Sequence, residues 1–156
     1  MRFEAVPADV PPASDLLAAM VDEMAPLYGQ IDAPHMPSAT AADFAPPRGT
    51  FLVGFDEDGT PVCGGGVKGL DGEVAEIKRM YVVPAARRRG LARGLLAALE
   101  DAARDLGYRV ARLDTGPEQP HAQRMYETAG YRPIGNFNHN PVASFWGEKR
   151  LDGAGR

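Results

Sequence analysis

The chain has 156 residues, of which 44% are hydrophobic and 24% are charged, and its formal net charge is -4. This length and apolar content predict one globular domain over residues 1–156 and exclude a disordered, fibrous or multi-domain chain. The charge is uneven, because residues 1–75 contain 3 basic and 12 acidic side chains whereas residues 76–156 contain 14 and 9, so the acidic total conceals a basic second half.

The cysteine and histidine content bears on the cellular compartment and on metal binding. Cys63 is the single cysteine and cannot form an internal disulfide, which favours a cytoplasmic protein. His35, His121 and His139 are far apart and show no HExxH-type spacing, so we expect no metal. We also expect no targeting segment and no membrane partner, because no apolar run reaches the length of a membrane span.

Turn residues divide the first half of the chain into short elements. Alternating residues predict a strand over residues 2–6, and Ser14 is a suitable N-cap for the amphipathic helix that follows it. A loop then leads to a short helix over residues 38–44. Three strands separated by two Asp-Gly turns form a predicted meander, over residues 51–55, 62–70 and 74–83.

Helices alternate with strands in the second half. Apolar residues at helical spacing and glycines at the expected C-caps define the helices. The predicted elements are a helix over residues 90–107, a strand over 109–114, a helix over 120–130, and strands over 131–134 and 144–151. A meander followed by alternating strands and helices predicts an α+β (mixed α/β) fold, in which a strand-helix-strand crossover makes one pair of strands parallel.

The most informative segment joins the third meander strand to the long helix. Over residues 82–93, with the sequence VVPAARRRGLAR, a strand ends, a glycine turn follows and a helix begins. Such a turn directs backbone N–H groups and the positive end of the helix dipole to one point, where pyrophosphate can bind without a metal. Gly90 and Ala92 are small enough to let phosphate oxygens approach the amides. On composition alone, a solvated basic helix start explains the segment equally well.

Three linked motifs in residues 74–132 resemble the GNAT superfamily of N-acetyltransferases. Arg87-x-x-Gly90-x-Ala92 is similar to the acetyl-CoA signature of that superfamily, residues 75–82 resemble its central strand, and residues 123–131 resemble its later Leu-Tyr-x-x-x-Gly-Phe/Tyr segment. The resemblance implies a GNAT-like fold, a mixed and mostly antiparallel sheet of about seven strands flanked by about four helices. It also implies an enzyme that uses acetyl-CoA as co-substrate, in a family where homodimers are common.

A glycine run in the second meander strand satisfies a different fingerprint. Residues 64–69, GGGVKG, match the dinucleotide-binding pattern G-x-G-x-x-G. That pattern has to open a helix, whereas these glycines lie within a predicted strand. We therefore expect a β-bulge or a close approach of another chain segment at this point.

The resemblance implies a coenzyme site along the central strand and the turn after it. Backbone amides at the end of the strand would pair with the pantetheine arm and polarise the acetyl carbonyl, and the amides of residues 88–92 would hold the pyrophosphate. The family often has an asparagine just before the later helix, residues 116–120 contain no evident counterpart of it, and Gln119 is the candidate substitute. The candidate coenzyme-binding residues are Met80, Tyr81, Val82, Arg87, Arg88, Arg89, Gly90, Leu91, Ala92, Arg93 and Gln119.

Two residues are candidates for catalysis. Tyr126 matches the family tyrosine that protonates the coenzyme A thiolate, although without the resemblance its place on an apolar helix stripe indicates a core tyrosine. Glu76 is the candidate base, because some family members have a glutamate at this strand position. Alternation places Glu76, Lys78 and Met80 on one face, so a structural Glu76–Lys78 pair or deprotonation through water is an equal alternative.

The acceptor is a small amine or a protein amine that the sequence does not identify. The family places it near residues such as Tyr28, His35 and Phe51 and near residues 136–146, where His139 and Trp146 are candidate contacts. The acidic first half favours a cationic amine. An alternative is a non-catalytic acyl-CoA-binding or sensing domain. A nucleic-acid contact at the arginines is the weakest option, because no stacking aromatic residues are interleaved with them.

Overall fold

The structure is a computed structural model that describes residues 1–28 and 39–152. Within these residues it contains seven strands, three α-helices and two short 3₁₀ helices, the latter at Ala41–Phe44 and Pro84–Ala86. In chain order the other elements are β1 (Arg2–Ala5), α1 (Ala13–Tyr28), β2 (Thr50–Phe55), β3 (Pro61–Asp71), β4 (Val74–Val82), α2 (Leu91–Asp105), β5 (Val110–Thr115), α3 (Pro120–Thr128), β6 (Arg132–Pro133) and β7 (Phe145–Arg150).

The strands form one mixed, mostly antiparallel sheet, which confirms the predicted fold class. Their order is β1-β2-β3-β4-β5-β7-β6, and only β4 and β5 run parallel, joined by the crossover through α2. This parallel pairing is short, because it joins residues 74–76 only to residues 110–112. Beyond that point β4 continues beside β3 and β5 continues beside β7, so the two central strands separate.

Helices cover both faces of the sheet. On one face, here called the α2 face, α2 and α3 pack on the sheet through a cluster that includes Leu95, Leu96 and Leu99, each at most 2% exposed. On the other, the α1 face, α1 contributes Leu16 and Met20 to a second cluster. Burying one such leucine contributes about 2 kcal/mol to folding, so these stripes fix the helices on the sheet.

Two details at the start of the chain differ from the expectation. α1 begins at Ala13, so Ser14 lies in the first helical turn and does not cap it. The predicted short helix over residues 38–44 is the 3₁₀ helix Ala41–Phe44, and its N-cap is Thr40, whose side chain accepts a hydrogen bond from the backbone N–H of Asp43. Ser38 lies outside the described residues.

The sheet has the expected irregularity beside the glycine run, but the extra residue lies in β4. Gly64 pairs with Tyr81 and Gly66 pairs with Lys78. A separation of two residues along β3 therefore matches a separation of three residues along β4. Arg79 has a left-handed φ of 61°, which is the backbone conformation that accommodates the extra residue. The bulge shifts the alternation of β4, and Met80 packs on the α2 face. The prediction that Met80 shares a face with Glu76 and Lys78 is therefore wrong.

The glycines of β3 permit the close approach that the sequence predicts. A Cβ on Gly66 would overlap the ring of Phe44, and its distance to Cζ of that ring would be 3.0 Å. We expect Gly66→Ala to lower the free energy of unfolding by about 3 kcal/mol, because Phe44 is itself packed against Phe51 and has little freedom to move. Urea unfolding followed by circular dichroism measures the change. Gly94→Ala is the control, because a Cβ there meets no atom within 4 Å, and unchanged stability of Gly66→Ala would contradict the prediction.

Candidate active site

The separation of β4 from β5 opens a cavity of about 740 Å³ in the middle of the sheet. Its walls come from α1, the second half of β4, the turn before α2, the end of β5, the start of α3 and residues 140–143. From Ile77 onward, β4 has no strand partner on its β5 side among residues 1–28 and 39–152. The backbone groups along that edge are therefore available to a ligand that lies between the strands.

Most of the candidate residues meet in this cavity. Tyr126 lines it, and so do all the candidate coenzyme-binding residues except Arg89, namely Met80, Tyr81, Val82, Arg87, Arg88, Gly90, Leu91, Ala92, Arg93 and Gln119. Arg89 is exposed, and its guanidinium lies 3.4 Å from the carbonyl oxygen of Ala85. Glu76 is also absent from the lining.

The turn before α2 has the geometry of an anion site. Gly90 is the N-cap of α2 and has a left-handed φ of 76°, which glycine adopts without strain. Because the first amides of a helix have no carbonyl partner within it, the N–H groups that follow Gly90 are free to bind an anion. The first turn of α2 contains no acidic residue, whereas Arg93 adds a positive charge there. The turn therefore combines amide donors, the helix dipole and cationic side chains.

Arg87 is engaged with α1. Its Nη2 donates to both carboxylate oxygens of Glu23 at 2.7 Å, and its Nε donates to the carbonyl oxygen of Val82 at 2.9 Å. The guanidinium carbon also lies 5.5 Å from the centre of the Tyr81 ring. Arg87 therefore joins the turn before α2 to α1. Because Glu23 compensates the positive charge of Arg87, the guanidinium attracts a phosphate less strongly than an unpaired arginine would.

Tyr126 is both a core residue and a residue of the cavity wall. It belongs to the core cluster of the α2 face and is 7% exposed, yet it lines the cavity and its hydroxyl lies 3.7 Å from Sδ of Met80. Burial, and secondarily the nearby charge of Asp114, raise the pKa of Tyr126 well above its usual value. The phenol is therefore protonated at neutral pH and can donate a proton into the cavity.

Glu76 is buried and lies outside the lining of the cavity. It is 2% exposed, accepts a hydrogen bond from Nδ2 of Asn138 at 2.9 Å, and forms an ion pair with Lys78 at 3.4 Å. These contacts match the structural alternative that the sequence left open. A base that acts directly on the acceptor would need to reach the cavity, and the carboxylate of Glu76 does not line it.

The sequence analysis missed Asp114, the cavity carboxylate at the end of β5. Its Oδ2 accepts hydrogen bonds from Nδ2 of Asn138 at 2.6 Å and from Nδ2 of Asn140 at 3.0 Å. Asn138 is held in turn by Nε1 of Trp146 at 3.2 Å. Asp114 belongs to no motif, but its position could have been inferred from β5, where Ala111 and its alternate neighbours face the core and Asp114 faces the other side.

The other expected acceptor contacts have different places. Phe51 is 2% exposed in the core and does not line the cavity. Tyr28 ends α1, and His35 lies outside the described residues. His139 is exposed and Trp146 supports Asn138, so neither lines the cavity, whereas residues 140, 142 and 143 of the same loop do.

Two further properties concern metals and membranes. Residues 1–28 and 39–152 include no group of three or more His, Cys, Asp or Glu side chains arranged to hold a metal ion. In the same residues, none of the helices has the length and apolar character needed to cross a bilayer.

Comparisons with known proteins identify the family and the fold. The model of the family described as "Acetyltransferase (GNAT) family" matches residues 17–131. An IAA acetyltransferase of Azospirillum brasilense is 30% identical over 140 residues, which cover 86% of this chain and 90% of that protein. The structure of a GNAT-family acetyltransferase of Staphylococcus aureus superposes with a TM-score of 0.78 at 17% identity, over 96% of this chain and 99% of that one. An aminoglycoside 6'-N-acetyltransferase complexed with coenzyme A superposes with a TM-score of 0.71 at 18% identity, over 97% of each chain, and these two structures support the fold alone.

Proposed function

The chain belongs to the GNAT family of acetyltransferases, and we propose that as a single domain it transfers the acetyl group of acetyl-CoA to a primary amine, by direct attack in a ternary complex. One observation carries this proposal. The cavity between β4 and β5 is lined on one side by the first turn of α2 and by α3, and on the other side by α1. A thioester and an amine can therefore approach each other from opposite faces of the sheet.

The cavity residues fit the coenzyme. The free edge of β4 at Met80, Tyr81 and Val82 would pair with the pantetheine amides, as an added strand would. The amides of residues 88–92 would hold the pyrophosphate, with charge from Arg88 and Arg93, and Gln119 lies at the start of α3 on the opposite wall. Arg89 is left to contact the exposed end of the coenzyme. This assignment also accounts for the basic segment without a nucleic-acid partner.

Acetyl transfer to an amine requires a polarised carbonyl, a proton for the departing thiolate and a neutral amine. The free backbone amides of β4 supply the polarisation. Tyr126 supplies the proton, because its phenol lines the cavity and stays protonated. The burial of Glu76 supports the loss of the amine proton to water in the cavity, and Glu76 then acts as a positioning residue for Asn138 and Lys78.

An acceptor screen tests the proposed function. We expect the protein to bind acetyl-CoA in isothermal titration calorimetry and to release free thiol when a suitable amine is added. The screen should include small primary amines, amino-acid amides and lysine-containing peptides, with a thiol reagent as detector. Folded protein that does not bind acetyl-CoA would refute the proposal. Binding without thiol release over the whole panel would favour an acyl-CoA sensor instead.

The cellular compartment and the class of acceptor amine are the last two parts of the proposed function. A single cysteine that lies buried in the core is compatible with the reducing cytoplasm, where we place the protein. Both a small-molecule amine and a protein amine are acceptor candidates for a cavity whose lining from α1 includes Leu27, which is 46% exposed.

A further inference from the structure

We propose that Asp114 binds the ammonium group of the acceptor and so restricts the enzyme to amines that are cationic in solution, such as alkylamines, in preference to neutral arylamines. This inference rests on the proposed acetyl transfer and deepens it. It assigns a specificity-determining residue and a substrate class to the acceptor side of the cavity.

Asp114 and Tyr126 project from opposite faces of the sheet. Along β5, Ala111 and Leu113 belong to the core cluster of the α2 face, so the side chain of Asp114 projects on the α1 face. Tyr126 comes from α3, on the α2 face. Both residues line the same cavity. The proton donor and the carboxylate thus stand on opposite sides of the gap between β4 and β5, as a donor for the thiolate and a site for the incoming amine must.

Two side-chain amides hold the carboxylate of Asp114 in place. Asn138 and Asn140 both donate to the same oxygen, Oδ2. No hydrogen bond from residues 1–28 or 39–152 is found at Oδ1, although two amides fix the orientation of the carboxylate. A fixed carboxylate with one acceptor atom facing a cavity is a preorganised site for an N–H donor, and a charged ammonium is the donor that it binds most strongly.

The other two carboxylates of the cavity differ from Asp114 in pairing or exposure. Glu23 shares both carboxylate oxygens with Arg87, and Glu118 is exposed in the loop before α3. Lys78 lines the cavity but is paired with Glu76. Among the three cavity carboxylates, Asp114 is therefore the one whose described hydrogen bonds come from neutral side-chain amides alone.

One substitution at Asp114 removes the charge and can keep both hydrogen bonds to the asparagines. Because both asparagines bond to Oδ2, Asp114→Asn can keep both hydrogen bonds through its amide oxygen while it loses the charge and the acceptor at Oδ1. Asp22→Asn is the matched control, because it removes one negative charge from an exposed position on α1 outside the cavity lining.

Methylammonium is a probe small enough to enter the site whatever the natural acceptor is. In ¹⁵N-labelled protein saturated with coenzyme A, we expect methylammonium chloride to shift the side-chain amide resonances of Asn138 and Asn140 saturably. Methanol, which has no charge, and tetramethylammonium, which has no N–H donor, should not. The shift should disappear in Asp114→Asn and persist in Asp22→Asn. Its persistence in Asp114→Asn, or its absence from the wild type, would overturn the assignment.

Kinetics with the best alkylamine of the screen provide the second readout. We expect Asp114→Asn to raise KM for the amine roughly 10- to 100-fold, the usual worth of a charge-assisted hydrogen bond, while kcat stays within about threefold and KM for acetyl-CoA is unchanged. An unchanged KM for the amine would refute the role of Asp114 and leave acetyl transfer intact. If instead the wild type neither binds acetyl-CoA nor releases thiol, the proposed function fails, and the same methylammonium titration carried out without coenzyme A still decides whether Asp114 binds an ammonium group.

Discussion

Gly90→Glu is expected to weaken acetyl-CoA binding by at least about 100-fold, which corresponds to about 3 kcal/mol. Gly90 caps α2 with a φ of 76° and lines the cavity. A glutamate there would place a negative charge where the helix dipole and the free amides favour an anion, and repulsion between like charges costs several kcal/mol. Isothermal titration with acetyl-CoA measures the loss, and full affinity in the variant would exclude the turn before α2 as the phosphate site.

The backbone strain of this substitution has a matched control. Gly59 lies in the turn between β2 and β3 with a φ of 81°, and a Cβ there meets no atom within 4 Å, as is also true of Gly90. Gly59→Glu therefore makes the same change of charge in the same backbone conformation away from the cavity. Each variant should lose about 1 kcal/mol of stability from the left-handed φ. Only Gly90→Glu should lose coenzyme affinity.

Tyr126→Phe is expected to lower kcat about 100-fold while the dissociation constant of acetyl-CoA changes by no more than about twofold. The substitution removes the phenolic proton from the cavity but keeps the ring in the core of the α2 face. The lost contact between the hydroxyl and Sδ of Met80, at 3.7 Å, is weak, so folding should be little affected. Stopped-flow detection of thiol release and calorimetry separate the two quantities. Equal kcat would remove Tyr126 from the role of acid.

Tyr131→Phe is the control for the loss of a buried phenol. Its hydroxyl donates to Glu100 at 2.9 Å, so the variant should lose about 1 to 3 kcal/mol of stability and keep kcat. Burial, as the largest cause, raises the pKa of both tyrosines in the folded state. Their contribution to stability is therefore complete below the ordinary tyrosine pKa near 10 and is lost as the pH rises above it. Tyr126 should impose no alkaline limb on kcat below that pH.

The fold was predictable from the sequence because its elements have strong local signals. The stripe of leucines in α2 has helical spacing, and Gly107 ends that helix with a φ of 97°, as a C-cap glycine does. The two turns with Asp-Gly mark the boundaries between the meander strands. These signals depend on residues within one or two turns of each other, so the chain order alone is sufficient to place them.

The parts of the site that the sequence did not predict depend on contacts between distant segments. The bulge in β4 arises from its pairing with β3, and it moved Met80 to the other face. The role of Asp114 depends on Asn138, which is 24 residues away in the chain. Arg87 was predicted as a coenzyme-binding residue, and its bond to Glu23 was not foreseen because Glu23 is 64 residues away. Periodicity describes one element at a time and carries no information about such pairs.

Because the bond between Arg87 and Glu23 joins the two halves of the cavity, we expect binding in one half to affect binding in the other. The same guanidinium holds the turn that would carry the phosphates and the helix α1 that borders the acceptor side. A ligand that changes this ion pair from one side changes the free energy of binding on the other, and by linkage each ligand then alters the affinity of its counterpart by one common factor. That factor equals the ratio of the acetyl-CoA dissociation constants measured with and without bound amine. We expect Glu23→Gln to bring this ratio closer to one.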